Sequence, residues 1–379
     1  MSAIYLDYNA TTPIAPEVLE AMLPWLREHH GNPGSAHAPG RYAARAVAEA
    51  RASVAALIGA DPAEIVFTGC ATEADNLAVL GVAAASGGRH LVVSAIEHPA
   101  VLEPALELRR RGWGLTVLPV DSTGRVDPAA VAAALQPGTV LVSVMHANNE
   151  VGTIQPVGEI AAITRARGVT LHTDAAQSVG KLPVDVNVLG VDLLTIAGHK
   201  FYAPKGIGAL YVRAGTRLAP VAYGGGQERG LRSGTENVAS IVALGAAARL
   251  AMRDQATVTA RLRALRDGLH ARLQAVIPGL RLNGHPVERL PNTLHVSFPR
   301  VSGRVLLSTV EDRISASVGS TCHSEHDQVS GVLAAMGVEA AAAAGAVRLS
   351  VGTPTTEAEV GEAASALAAT WRGLTAAVS

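Results

Sequence analysis

The sequence predicts an α/β protein: a large, mostly parallel sheet covered by helices, with a smaller α+β unit attached. Three observations predict it. Between about residues 64 and 213, short β-branched runs alternate with Ala-rich stretches of helical spacing. A long Ala/Arg/Leu-rich stretch then separates this part from a second, differently patterned one. The 379 residues, 49% of them hydrophobic, suit two domains, or one large domain with an annex. The expected division is a large domain over 15–253 and a small one built from 1–14 and 254–379.

The expected strands of the large part are Glu64–Phe67, His90–Val93, Leu115–Leu118, Val140–Val144, Thr170–Thr173 and Asp192–Ile196. Helical patterns such as Val157–Arg167 lie between most of them, which implies βαβ units. Gly208–Val212 follows Ile196 too closely for a helical crossover, so it is expected antiparallel to its neighbour. The separator, about Val238–Ala275, reads as one long helix. Beyond it, Thr293–Phe298, Ile314–Ser317 and Val347–Ser350 read as strands, and Val305–Val310 and Thr356–Leu374 as helices. Thr356 is placed to cap the last helix before Glu357 and Glu359. The Ala340–Ala344 run reads as a helix end before Gly345, and no internal repeat is seen.

Charge narrows the function classes. With 31 Lys+Arg against 32 Asp+Glu the net charge is −1, which argues against nucleic acid as a partner, since phosphate backbones need a basic surplus. No apolar run approaches the roughly 20 residues that span a bilayer, so no membrane association is expected. The N-terminus lacks the pattern of a secretory signal. Two cysteines, Cys70 and Cys322, are too few for a disulfide framework, so a reducing cytoplasm is the expected compartment. Only three basic residues are lysines: Lys181, Lys200 and Lys205. Chemistry that needs a primary amine has those three candidates.

Open α/β sheets bind ligands at the carboxyl ends of their strands. Polar residues cluster there repeatedly: Thr68–Glu73, Glu97–His98, His146–Glu150, Thr173–Gln177 and Gly198–Lys200. Small residues and Thr72 at the start of a helix suit an anion, though the same pattern also serves an ordinary helix cap. A lone His or Asp at a strand end is usually a cap or surface group; here five such ends converge. A phosphate cradle, a lysine, a carboxylate and an imidazole together suit pyridoxal phosphate. Its aldehyde forms a Schiff base with a lysine, and its ring nitrogen needs a carboxylate to stay protonated. Lys200 follows a buried-type strand beside His199 and is the best of the three lysines; Lys181 and Lys205 read as loop residues.

The chain resembles the cysteine desulfurase and selenocysteine lyase group of the class V aminotransferase-like, fold-type I pyridoxal phosphate enzymes. The resemblance rests on Leu6–Pro13, Gly31-Asn32-Pro33, Ala71-Thr72-Glu73, His146–Glu150, His172–Gln177, Gly198-His199-Lys200, Gly224–Arg229, Arg232–Asn237 and Arg348-Leu349-Ser350, and so covers nearly the whole chain. It implies that Lys200 holds pyridoxal 5'-phosphate covalently, that Asp174 pairs with the ring nitrogen and that Gln177 bonds the ring hydroxyl. By the same resemblance His98 stacks on the ring and moves protons, and Asn149 sits near ring and substrate. Ala71, Thr72 and His199 hold the phosphate, with Thr235 reaching in from the second subunit of a homodimer. Arg348 would bind the substrate carboxylate with Asn9 nearby, and Cys322 would take the substrate's sulfur as a persulfide for a sulfur-acceptor protein.

Cys322 also stands out by itself. The polar segment Ser317–Ser324 reads as an exposed loop, and His323 and His326 beside the thiol favour a thiolate. The same three residues lack a second ligand cluster, so no metal site is expected. Ala197 stands where many desulfurases carry a serine, Cys70 replaces a usual glycine, and Thr321 a usual alanine. The Cys322–His326 stretch, after Ser317-Val318-Gly319, looks more like selenocysteine lyases. The short segment after the last helix is not expected to dock an iron–sulfur scaffold. The expected activity is release of L-alanine and sulfur from L-cysteine. The alternatives are cleavage of L-selenocysteine, another β-elimination with Cys322 incidental, or a silent binding scaffold. Cys70 is expected to pack as a small residue rather than react.

Overall fold

The computed structural model describes residues 3–319 and 330–376. The chain opens with strand β1 (Ile4–Tyr5) and helices α1 (Pro16–Arg27) and α2 (Ala38–Leu57). Each helix carries a proline in its first turn, where the missing N–H has no helical partner to lose. The alternating part follows as β2 (Ile65–Thr68), α3 (Ala71–Ala85), β3 (His90–Ser94), α4 (Pro99–Arg110), β4 (Gly114–Leu118) and α5 (Pro128–Ala134). It continues with β5 (Thr139–Ser143), α6 (Val157–Ala166), β6 (Thr170–Asp174), α7 (Val186–Leu189), β7 (Leu193–Ala197) and β8 (Gly208–Val212).

These strands form one seven-stranded sheet in the order β2-β8-β7-β6-β5-β3-β4. Neighbours from β4 across to β7 are parallel. β8 is antiparallel to both β7 and β2, as the short link from Ile196 to Gly208 requires. Every residue of β2, β3 and β7 is buried, the pattern of strands covered on both faces. Two consequences position the site. The carboxyl ends of β2, β3, β5, β6 and β7 share one edge of the sheet. The chain also reverses its order between β3 and β5, a topological switch point where a crevice opens.

The rest comprises α8 (Val238–Val276), β9 (Arg281–Leu282), β10 (Thr293–Ser297), α9 (Gly303–Thr309), β11 (Ile314–Ser315), α10 (Gly331–Ala335), α11 (Ala340–Ala344), β12 (Ala346–Ser350) and α12 (Glu357–Ala376). β12, β10 and β9 make an antiparallel sheet, and β1 pairs in parallel with β11. The first residues of the chain therefore join its last third. Helix α8 serves two cores: Ile241 and Leu244 pack with the large sheet, whereas Leu262, Leu265, Leu269 and Leu273 pack with α12. Their spacing of three and four residues keeps each set on one stripe.

The expected elements recur with ends shifted by a residue or two, and Ile314–Ser317 shortens to Ile314–Ser315. The two-residue strands β1 and β9 were not expected, because two residues carry no readable period. Lys181 lies in the loop between β6 and α7, as its reading expects, and is buried there.

Candidate active site

A cavity of about 260 Å³ opens at the carboxyl edge of the large sheet. Its wall includes Asn9, Ala71, Thr72, His98, Asn149, Asp174, Gln177, His199, Lys200 and Arg348, each expected at the site from the sequence. Cys70, Asp75, Met145 and Ala197 line it as well. The residues come from five strand ends, the first turn of α3, the N-terminal segment and β12.

The anion-binding end is the start of α3. Cys70 is its N-cap and makes no side-chain cap hydrogen bond, so no side chain closes the first turn. Glu73 instead accepts from Gly69 N–H at 2.7 Å and is held by Arg232 Nε at 2.7 Å. That leaves the cradle to N–H groups and the helix dipole, both of which favour an anion. Strand β8 passes close beneath. A Cβ on Gly208 would come within 2.8 Å of Cys70 C and 3.0 Å of Ala71 N, so only glycine lets the strand approach. Cys70, expected to pack as a small residue, is exposed and free.

Asp174 ends β6 and is buried, with Oδ1 accepting from Ala176 N–H at 2.8 Å. Burial raises its carboxyl above the usual range, while His98 and Lys200 oppose that rise. Asp75, on α3, is fully buried and neither of its oxygens has a hydrogen-bond partner among the described residues. His172 Nε2 lies 3.5 Å from Asp75 Oδ1 and bonds Thr195 Oγ1 at 3.1 Å, while Nδ1 bonds Ser143 Oγ at 2.8 Å. Burial, then the Asp174 charge, holds Asp75 well above the carboxylate range, and burial lowers His172 to about 3. Glu97 accepts from Ser94 Oγ at 2.5 Å and Met145 N–H at 2.8 Å, and burial lifts it to about 8. Of these groups Asp75 and Asp174 line the cavity, where burial disfavours their charged forms.

His98 caps α4: Nδ1 accepts from Ala100 N–H at 3.1 Å, so its proton belongs on Nε2. Burial lowers its affinity for a second proton, and Lys200 adds to this against Asp174. Lys200 Nζ donates to Asn9 O at 2.7 Å and Ala10 O at 2.8 Å. The N-terminal segment is stitched to the end of β7, since Thr12 N–H and Oγ1 donate to His199 O and Thr11 Oγ1 meets His199 Nδ1 at 3.1 Å. Burial and the nearby Lys200 lower His199 to about 4.

Arg348, in the middle of β12, is 3% exposed. Nη2 donates to Asp7 at 2.7 Å and Nη1 to Asn149 O at 3.0 Å, and buried Nε has no partner among the described residues. The Asn9 side chain is engaged at both ends, by Thr293 at 2.8 Å and Asn292 at 3.0 Å. Thr235 is exposed and outside this cavity. Cys322, His323 and His326 lie outside the described residues. Sequence reasoning gave no role to Asp75, Glu97, His172, Lys181 or Asp7. Asp75 stands three residues after Thr72, on the same side of α3, and Glu97 directly precedes His98, so spacing carried a usable signal for both.

The residues fit pyridoxal phosphate on the structure's own terms. Uncapped helix N–H groups, a buried carboxylate raised in pKa and a lysine amine line one cavity, with Asp75 a second buried carboxyl in its wall. The family model for class-V aminotransferases matches residues 4–362. A cysteine desulfurase IscS of Anaeromyxobacter dehalogenans is 49% identical over 362 residues, 94% of this chain and 89% of that one. One of Dictyoglomus turgidum is 46% identical over 93% of this chain and 91% of its own. A solved NifS-like protein superposes with a TM-score of 0.91 at 38% identity, covering 99% of this chain and all of that one. The chain therefore belongs to the class-V aminotransferase family of pyridoxal phosphate enzymes, and within it to the cysteine desulfurases.

Proposed function

We propose that the cavity takes L-cysteine and that the protein releases L-alanine, passing the sulfur to Cys322. The observation that carries this reading is the convergence of Asp174, His98, Lys200 and Arg348 on one cavity beside the uncapped start of α3. When bound, pyridoxal phosphate supplies an electron sink that loosens the bonds at the substrate's α-carbon. The chain's residues do the rest. Lys200 would hold the cofactor through its amine, Asp174 would pair with the ring nitrogen, and Ala71, Thr72 and His199 would hold the phosphate. Arg348, which lines the cavity, would bind the substrate carboxylate, with Asp7 and Asn149 keeping the guanidinium oriented. His98 would hold a proton at Nε2 for transfer in the cavity, and Asn149 would contact the cofactor and substrate.

The Cys322 thiolate attacks the substrate sulfur. The substrate C–S bond breaks, an S–S bond forms, and the thiol proton ends on the methyl group of alanine, so one thiol and one cysteine give one persulfide and one alanine. A sulfur-acceptor protein then removes the terminal sulfur. We also read the chain as a homodimer working in a reducing cytoplasm, divided within α8 into a unit of 15–253 and one of 1–14 with 254–379. Among the described residues no helix is long and apolar enough to cross a membrane.

The test measures alanine beside sulfide or selenide release from L-cysteine and L-selenocysteine, for the wild type and Cys322→Ala. Loss of cysteine turnover in Cys322→Ala with residual selenocysteine cleavage is expected, because selenium is the better leaving group. A wild type that cleaves only L-selenocysteine would replace this reading with the lyase.

A further inference from the structure

Lys181 is a buried amine that the reaction above leaves without a task. It is 6% exposed, and its Nζ donates to Gln177 Oε1 at 2.9 Å. Its backbone is pinned from α8, where Thr259 Oγ1 donates to Lys181 O and Gln255 Nε2 to Leu182 O, each at 2.8 Å. Gln177 Nε2 donates to Asn9 O at 3.0 Å, the same carbonyl that receives Lys200 Nζ. Gln177 lines the cavity, and Lys181 stands behind it.

An amide side chain has two chemically different ends, and its neighbours decide which way it points. Turned over, Gln177 would set its NH₂ against the Lys181 donor and its carbonyl against the Asn9 carbonyl. Both contacts would be repulsive. In the observed sense Nε2 gives one hydrogen to Asn9, and no group among the described residues claims the other. We propose that Lys181 is a positioning residue that fixes Gln177 with its NH₂ toward the cofactor's ring oxygen, where it donates to that oxygen. The proposal rests on the pyridoxal phosphate reading of the cavity. Burial, then the charges of Lys200 and Arg348, lower the Lys181 ammonium well below its ordinary range. A merely structural lysine there would be replaceable by an apolar chain of equal length with little loss, or with a gain in stability.

The holoenzyme provides the test. The visible absorption of lysine-bound pyridoxal phosphate titrates with pH, because the proton on the linking nitrogen is shared with the ring oxygen. A donor to that oxygen competes for its electrons and lowers the titration midpoint. Gln177→Ala and Lys181→Met should each raise the midpoint by about one pH unit, the scale of one lost hydrogen bond to a charged group. The double variant should go no further than the larger single shift. Lys181→Gln keeps an N–H toward Oε1 but loses the charge, so it should raise the midpoint less. A Lys181→Met midpoint equal to wild type, or single shifts that add in the double variant, overturns the proposal. If Lys181→Met does not fold, Lys181→Ala, which removes the donor altogether, decides, and an unchanged midpoint overturns it. A wild type that takes up no borohydride-reducible cofactor defeats the reading of the cavity. A normal wild type with an indistinguishable Lys181→Met defeats only the inference.

Discussion

Asp174 is buried with one backbone hydrogen bond, and burial pushes its carboxyl upward. A cationic ring nitrogen set against it therefore gains a partner in a low dielectric, where the pairing is worth more than at the surface. Asp174→Asn keeps the shape and loses the charge. It should retain cofactor while turnover falls by about a hundredfold or more, since an uncompensated buried charge costs several kcal/mol; near-normal turnover would remove this role. Glu97 makes a second residue-scale prediction. Its folded pKa, about 8, lies above the ordinary carboxylate value, so the folded state binds the extra proton. Stability from this group is fully present below about pH 4.5 and is lost as pH rises through about 8. The buried histidines, His146 and His172 among them, are lowered and favour the fold as pH rises toward their ordinary value of 6.5. Above that value the Glu97 loss stands clear of them. Glu97→Gln keeps the acceptor for Ser94 and Met145, so its melting temperature should fall less between pH 6.5 and 8 than that of wild type. An identical slope would contradict the assignment. The expected polar ends were legible because strand alternation locates the carboxyl edge without any knowledge of contacts. Lys181 was not, because its burial comes from Gln177 and α8, which its own neighbours Gly180 and Leu182 do not announce.

At the scale of elements, the anion cradle depends on β8 as much as on α3. Gly208 opens β8 beneath Cys70 and Ala71, and an added methyl would also meet Ile196 O at 2.7 Å. All three neighbours are backbone and cannot turn aside. Gly208→Ala should displace the start of α3 at a cost of about 1–3 kcal/mol, the range for overpacking. The expected result is at least about tenfold weaker pyridoxal phosphate binding, measured by titrating the apoprotein. Unchanged affinity would show that the cradle tolerates the shift. The antiparallel course of β8 was legible because the link from β7 is too short for a crossover. The close approach was not, since it depends on two segments more than 130 residues apart in sequence meeting at van der Waals distance. The Thr356 cap was legible from local chemistry: Glu359 N–H donates to Thr356 Oγ1 at 3.2 Å and Thr356 N–H to Glu359 at 2.7 Å.

At the scale of the whole molecule, the segment from Gly224 to Thr235 contributes no residue to the cavity at the carboxyl edge of the large sheet. Thr235 is exposed, and neighbouring Tyr223 is 86% exposed. The base of the segment is nonetheless built firmly. Glu228 is buried, clasps Arg51 through bonds of 2.6 and 2.7 Å, and accepts from Phe67 N–H at 2.9 Å. It and Arg229 hold left-handed φ of 48° and 58°, a strain that such bonds sustain. A rigid base under an exposed threonine suits a segment that completes a second copy's cradle, and two-fold pairing is the commonest way to do so. Thr235→Ala should then weaken cofactor binding about tenfold, the scale of one hydrogen bond to a charged group, and leave folding intact. Mixed dimers separate the two geometries. In a dimer of one Lys200→Ala chain and one Thr235→Ala chain, the only lysine-bearing site belongs to the Thr235→Ala chain. If Thr235 acts across the interface, that site receives the intact threonine of the Lys200→Ala chain and binds cofactor as tightly as wild type. If Thr235 acts within its own chain, that site stays weak. Recovery of wild-type affinity in half the sites is the expected result; a species that sediments as a monomer, or a mixed dimer that stays weak, contradicts the shared site.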